Sequence, residues 1–350
     1  MNTLDQILLE MLEQGGSDLH LSVGAPPKIR VEGLVRPIER PTLQADELES
    51  MLREVTPAGR WKQFQETGDA DLAHEIPGEA RFRMNLFRNS HGTGAVLRQI
   101  PSRIAGIDEL GLPEALKRVA GFKHGLVLVT GPTGSGKSTT LAAIINHINE
   151  HYAKQIVTLE DPVEFTHDDK NSTILHREIG QHTTSFARGL RGAIRSDPDV
   201  ILIGEMRDME TMRLALDCAA MGMLVFATLH TNNATKTIDR IIDAFPSDEQ
   251  NQTRIMLADA LQAVISQLLC RKKDGGRVAA HEILLPHGSL AHTIRKHSLS
   301  NIQNIIDQNR EEGMISMDAS LQKLLDDQLI SEQEAYMKAI NKSQFQPGTE

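Results

Sequence analysis

One stretch, Gly125-Leu-Val-Leu-Val-Thr-Gly-Pro-Thr-Gly-Ser-Gly-Lys-Ser-Thr139, constrains the chain more than any other. Leu126–Val129 reads as a short buried strand, and Leu141, Ile144, Ile145 and Ile148 follow at helical spacing. Between them lie Gly131, Pro132, Thr133, Gly134, Ser135, Gly136, Lys137, Ser138 and Thr139, a full match to the phosphate-binding P-loop pattern. Each part has a chemical reason. Glycines let backbone N–H groups close around a polyphosphate without a Cβ in the way. The helix N-terminus adds its dipole at the same point. Lys137 brings a mobile positive charge for the β- and γ-phosphates, and Ser138 a hydroxyl for Mg²⁺. The expected ligands are therefore ATP and Mg²⁺. ATP is preferred to GTP because no guanine-reading Asn-Lys-x-Asp stretch occurs.

A strand–loop–helix of this kind needs a sheet around it, and later segments supply one. Gln155–Leu159, Asp199–Ile203 and Met223–Thr228 are strand-like, and Ser185–Ile194 and Glu210–Ala220 are helix-like. Such alternation predicts a largely parallel sheet with its ligand at the strand ends. Leu257, Leu261, Val264 and Leu268 fit one long helix, Arg277–Leu285 a late strand, and the remainder is expected to be helical. Ser331 with Glu334 caps the last helix.

Upstream the pattern differs. Leu4, Ile7, Leu8, Met11 and Leu12 form a helical stripe, with Thr3 and Gln6 as its expected capping box and Gly15-Gly16 as its end. Asp18–Leu21 alternates, Ile29–Arg36 reads as a hairpin, and 46–56 and 57–67 read as short helices. Asp69–Ile76, Ala80–Phe87 and Gly94–Ile100 alternate again. The expected organisation is a small α+β domain over 1–100, a Pro/Gly/Ser-punctuated linker over 101–113, and an ATPase domain over 114–350. A chain of 350 residues has room for two cores.

Composition narrows the partners. The net charge of −10 and a single Trp, Trp61, speak against a DNA translocase, which would need a basic channel or stacking aromatics. Cys218 and Cys270 both fall in apolar stretches and read as buried thiols. The first residues carry no signal-peptide pattern, and no apolar run approaches the ~18–20 residues of a membrane span.

Three strand ends carry chemistry. Val200-Ile-Leu-Ile-Gly-Glu205 ends in an acid that can hold Mg²⁺ or polarise the attacking water. Ile156-Val-Thr-Leu-Glu160-Asp-Pro-Val-Glu164 packs three carboxylates into five residues, which repel unless a cation or an Arg faces them. Phe226-Ala-Thr-Leu-His230 ends in a His that can contact the γ-phosphate or the water. With these groups present, a working enzyme is preferred to a nucleotide-binding scaffold.

The blocks Gly131–Thr139, Thr158–Phe165, Asp197–Asp208 and Thr228–Ala234 resemble the Walker A, Asp-box, Walker B and His-box segments of secretion ATPases. Within that superfamily the chain resembles the PilT/PilU-type retraction ATPases of type IV pili. Ser17–Gly33 resembles their opening block, Ala80–Arg88 a second block and Ile107–Pro113 their linker, so the match covers about residues 3–340. The resemblance implies an α/β architecture: a PAS-like N-terminal α+β domain, then a RecA-like P-loop domain with a helical C-terminal region. It implies that Glu160 and Glu164 are Asp-box acids, Glu205 the Walker B glutamate and His230 the His-box histidine. It also implies that Arg83 and Arg98 act on a nucleotide held by a neighbouring subunit, a role worth roughly 10³–10⁵ in rate for such an arginine.

The function so implied is a cytoplasmic homohexameric motor at the inner face of the membrane. It would couple Mg²⁺-assisted attack of water on the γ-phosphate to pilus retraction and twitching motility. Domain closure about a hinge in Pro101–Pro113 would be the stroke. Implied partners are a PilC-like inner-membrane platform protein and a paralogous retraction ATPase, with neither nucleic acid nor direct membrane insertion. One segment departs from the family pattern. Ala291-His-Thr-Ile-Arg-Lys-His-Ser-Leu-Ser keeps only Ile294 and Arg295 of an Ala-Ile-Arg-Asn-Leu-Ile-Arg-Glu-Gly-Lys-like stretch, which leaves as alternatives an accessory, PilU-like motor or another secretion or assembly ATPase of the superfamily.

Overall fold

The computed structural model describes residues 2–345 except Glu32, Pro101 and Ser102. The first two residues of the expected hinge, Pro101 and Ser102, thus lie outside the described residues, as does Glu32 of the expected hairpin turn. The chain divides into two compact units: Met1–Arg103 with Glu160–Thr166 and His176–Ser185, and the rest.

The first unit holds α1 (Thr3–Glu13), β1 (Asp18–Ser22), β2 (Lys28–Val31), β3 (Leu34–Pro37), α2 (Ala45–Val55), α3 (Ala58–Thr67), β4 (Asp69–Ile76), β5 (Ala80–Asn89) and β6 (Gly92–Ile100). Its antiparallel sheet has the order β3-β2-β1-β6-β5-β4. Along β5 the alternation is clean: Ala80, Phe82, Met84 and Leu86 are buried, and Arg81, Arg83 and Asn85 take the other face. The buried side joins Leu4, Ile7, Leu8 and Met11 of α1 in one core. The cap of α1 differs from expectation. Asn2, not Thr3, accepts the Asp5 N–H at 2.8 Å, and Thr3 is already helical. Asn is at least as good a cap as Thr, and it stands one residue earlier.

The second unit runs through α4 (Ala115–Ala120), β7 (Gly125–Thr130), α5 (Lys137–His151), β8 (Gln155–Glu160), β9 (Thr173–Glu178), α6 (Phe186–Ala193), β10 (Val200–Ile203), α7 (Met209–Ala220) and β11 (Leu224–Leu229). It continues with α8 (Ala234–Asp243), α9 (Gln250–Ala260), β12 (Leu261–Arg271), β13 (Arg277–Leu284), α10 (Leu290–Arg295), α11 (Ile302–Gln308), α12 (Met317–Asp326) and α13 (Glu332–Lys338). The seven-stranded sheet has the order β13-β12-β7-β11-β10-β8-β9. Every residue of β7, β10 and β11 is buried, as a parallel sheet covered on both faces requires.

The long helix expected through Leu268 is not there. Helix α9 stops at Ala260, and Leu261–Arg271 is a strand, parallel to β7 and antiparallel to β13. Strand β12 carries apolar residues on both faces, and those at 261, 264 and 268 happen to fall at helical spacing as well. Ser331 does cap α13, accepting the Glu334 N–H at 3.1 Å. Both cysteines are buried, and burial pushes their thiols up to about 11.

Candidate active site

Parallel register places three loops side by side. Thr130 pairs with Leu229, and Ile203 pairs with Ala227. The P-loop leaves β7 after Thr130, His230 follows β11, and Glu205 lies two residues past β10. All three strands end at the same sheet edge, where α/β folds bind their ligands.

The P-loop is pressed onto β12. Gly131 has φ +145°, and a Cβ there would stand 2.3 Å from the Gln267 carbonyl oxygen. Gly136 has φ +88°, with a Cβ 2.8 Å from Gln267 Nε2. A side chain at Gly131 would displace backbone, and one at Gly136 would be strained by its φ and push the Gln267 amide aside. Gln267, 2% exposed, donates to the Ser135 carbonyl and accepts from Thr140 Oγ1 at 2.8 Å. The Thr130 and Ser266 hydroxyls meet at 2.8 Å just below. Lys137 Nζ lies across the loop, donating to the carbonyls of Gly131 at 2.8 Å and Pro132 at 3.1 Å. Pro132, Thr133, Gly134, Ser138 and Thr139 are exposed at the N-terminal end of α5, where backbone N–H groups and dipole favour an anion.

At the same sheet edge as the loop are a carboxylate and an imidazole. Glu205 Oε1 lies 2.9 Å from His230 Nε2, and Glu205 Oε2 accepts from Arg207 at 2.8 Å. Burial alone would raise the Glu205 carboxyl, but Arg207 and then His230 hold it below its ordinary value. It is thus kept ionised. Around it, Gly204 N–H donates to the Leu159 carbonyl at 2.7 Å and Met206 N–H to that of Thr228 at 3.1 Å, which ties the strand ends together. Ser138 Oγ and the Glu205 carboxylate are hard oxygen donors, the type that Mg²⁺ takes alongside phosphate oxygens.

The other expected residues lie in the first unit or at its margin. Glu160 is the last residue of β8, and its carbonyl accepts the Ile179 N–H at 2.9 Å. Glu164 Oε1 accepts from Arg83 at 3.1 Å. Arg98 donates from Nε to Asp18 at 2.7 Å, leaving its side chain 71% exposed. Arg83 and Arg98 are direct cross-strand partners on β5 and β6. Two cations so placed repel, and the carboxylates of Glu164 and Asp18 offset that repulsion. The sequence signalled neither Asp18 nor Arg207 nor Gln267 as functional. Their partners are 80, 2 and 132 residues away along the chain, and only the Arg207 pair has a local spacing that could be noticed.

Comparison with known proteins adds the following. Residues 1–276 match the family model described as type II/IV secretion system protein. The chain is 46% identical over 336 residues to the type IV pilus retraction ATPase PilT of Pseudomonas aeruginosa, covering 96% of this chain and 98% of that one. It is 38% identical over 321 residues to the type IV pilus ATPase PilU of the same organism, covering 91% and 84%. The fold superposes on a crystal structure of the pilus retraction motor PilT with bound ADP, with a TM-score of 0.90, 40% identity and 98% coverage of each chain. That likeness shows a small N-terminal α+β domain followed by a RecA-like ATPase domain.

Proposed function

The chain belongs to the type II/IV secretion system protein family, and from that premise we propose that it is a motor ATPase driving type IV pilus retraction. The observation that carries this is the shared edge of β7, β10 and β11. There a P-loop, a carboxylate held ionised and a histidine stand together.

The residues divide the work. The N–H groups of Gly131–Thr139 and Lys137 Nζ bind the phosphates of ATP. Lys137 exchanges its carbonyl partners for phosphate oxygens as it does so. Glu205 accepts the proton of the attacking water. His230, hydrogen-bonded to Glu205, fixes that carboxylate and lies toward the γ-phosphate. Ser138, and Glu205 through a water, would hold Mg²⁺, which when bound neutralises phosphate charge. Glu160 and Glu164 form the acidic box, and Glu164 holds Arg83 until a nucleotide replaces it. Arg83 and Arg98 serve the nucleotide of the adjacent subunit in a homohexamer. Closure about residues 101–113 moves the ring, on the cytoplasmic side of the membrane, against a PilC-like platform protein. Among the described residues no helix is long and apolar enough to cross a membrane.

The accessory, PilU-like reading keeps the same chemistry and differs in autonomy. Identity to PilT exceeds identity to PilU, 46% against 38%, and this supports an autonomous motor. Counting surface pili in cells lacking the protein, with twitching scored on the same cells, tests it. The expected result is excess pili without twitching. Bald cells would overturn the assignment in favour of an assembly motor, and near-normal pili with weakened twitching would favour the accessory role.

A further inference from the structure

Four residues lie in one row across the sheet of the second unit. Register pairs Leu229 with Thr130, Thr130 with Ser266, and Ser266 with Glu282. The loop carrying His230 leaves β11 at this row and turns into α8 at Ala234. The Ala234 N–H donates to Glu282 Oε1 at 2.8 Å, reaching the strand three places away. Glu282 is 1% exposed. Its carboxyl is pushed up by burial, against the pull of the Ala234 and Met317 N–H groups. Other bonds close the rest of the loop. Asn233 Oδ1 accepts the Lys236 N–H at 2.8 Å, and the hydroxyls of Thr231 and Thr237 meet at 2.7 Å.

A carboxyl buried on a sheet edge is costly unless it does something that an apolar residue could not. Here it satisfies one of the N–H groups that the first turn of a helix leaves without an intrahelical partner. It does so at the residue where the histidine loop becomes helix. The next residue on the neighbouring strand, Gln267, grips the P-loop from the same pair of strands.

We infer that Glu282 is a positioning residue for the His230 loop. By anchoring Ala234 to β13, it fixes how far His230 stands from Glu205 and from the phosphates held at β7. Strands β12 and β13 thereby brace both sides of the reaction, one through Gln267 and the other through Glu282. The inference rests on the role assigned above to His230.

The test uses the full chain with MgATP. Glu282→Leu keeps the buried volume but removes the acceptor. It is expected to lower kcat by about tenfold to a hundredfold, the scale of a small misplacement of a reacting group, with the KM for ATP and the affinity for ADP kept within about twofold. Glu282→Gln keeps an oxygen acceptor and is expected to restore turnover to within about twofold of the unmodified chain. In a His230→Ala background, Glu282→Leu is expected to cost nothing further, because the two changes act on one element. The same loss in that background, or a Gln variant as poor as the Leu variant, would overturn the inference. Unmodified turnover in His230→Ala would instead overturn the role of His230. Should Glu282→Leu not fold, amide exchange in the unmodified chain decides. The Ala234 amide is expected to be protected like the interior of α8, and exchange at the rate of the preceding loop would overturn the inference.

Discussion

The two units hold their functional groups in different ways. In the second unit, the P-loop, Glu205 and His230 sit at the ends of strands that are buried along their whole length. Their positions follow from sheet register, and Gln267 locks the loop from beneath. In the first unit, Arg83 and Arg98 stand on the polar face of an antiparallel sheet, 42% and 71% exposed, each held by a carboxylate. A register fixes atoms to within a hydrogen bond. The half-exposed Arg83–Glu164 pair is worth little and can be exchanged for another anion, whereas Arg98 keeps its exposed guanidinium on a buried partner, Asp18. On the function proposed above, the contrast is the one a motor needs: a hydrolytic edge set by sheet register and an arginine, Arg83, that can change partner.

The sharpest way to break this comparison is to separate its halves. Arg83→Ala is expected to lower ATP turnover by about 10³-fold or more while leaving ADP binding intact. Mixing it with Lys137→Ala subunits should restore part of the activity, since each subunit then lacks only one half of a site. No recovery on mixing would place the arginine and the P-loop of each site in the same subunit.

Stability should follow the same division. Leu128 on β7 is 0% exposed and Leu34 on β3 is 76% exposed. Leu128→Ala is expected to cost about 2–5 kcal/mol in denaturant unfolding, and Leu34→Ala less than about 0.5 kcal/mol. Equal costs would mean that β3 is covered in the working assembly.

The smallest effect concerns acid. Burial would raise the Asp18 carboxyl, but Ser17 and Arg98 hold it below its ordinary 3.8. A lowered folded value means that the contribution is fully present above 3.8 and is lost as pH falls through the lowered value. Asp18→Asn should therefore lower stability at neutral pH, where that contribution is fully present, and flatten the acid limb below 3.8. An unaltered acid limb would show that Arg98 gains nothing from Asp18.

How much of this was legible in the sequence follows the same physics. The P-loop and the strands leading to Glu205 and His230 were legible because a doubly covered parallel strand is a short apolar run with a polar residue at its end. The polar face of β5 was legible because alternation has period 2. Strand β12 was not. Leu257, Leu261, Val264 and Leu268 fit a helix as well as a buried strand, and the β-branched pair Val264-Ile265 was the one local cue. Asp18, Gln267 and Glu282 were missed for another reason. Each acts on a partner 48 or more residues away, a contact that only the folded sheet creates.

The most direct test of the hydrolytic edge is the pair of values, ATP turnover and ADP affinity, for Glu205→Gln. Gln keeps the shape and the contact with His230 but cannot take a proton. Turnover is expected to fall by about a hundredfold or more, with ADP affinity preserved. Turnover at the unmodified rate would contradict the account, because the carboxylate that Arg207 and His230 hold ionised would then have no part in the reaction.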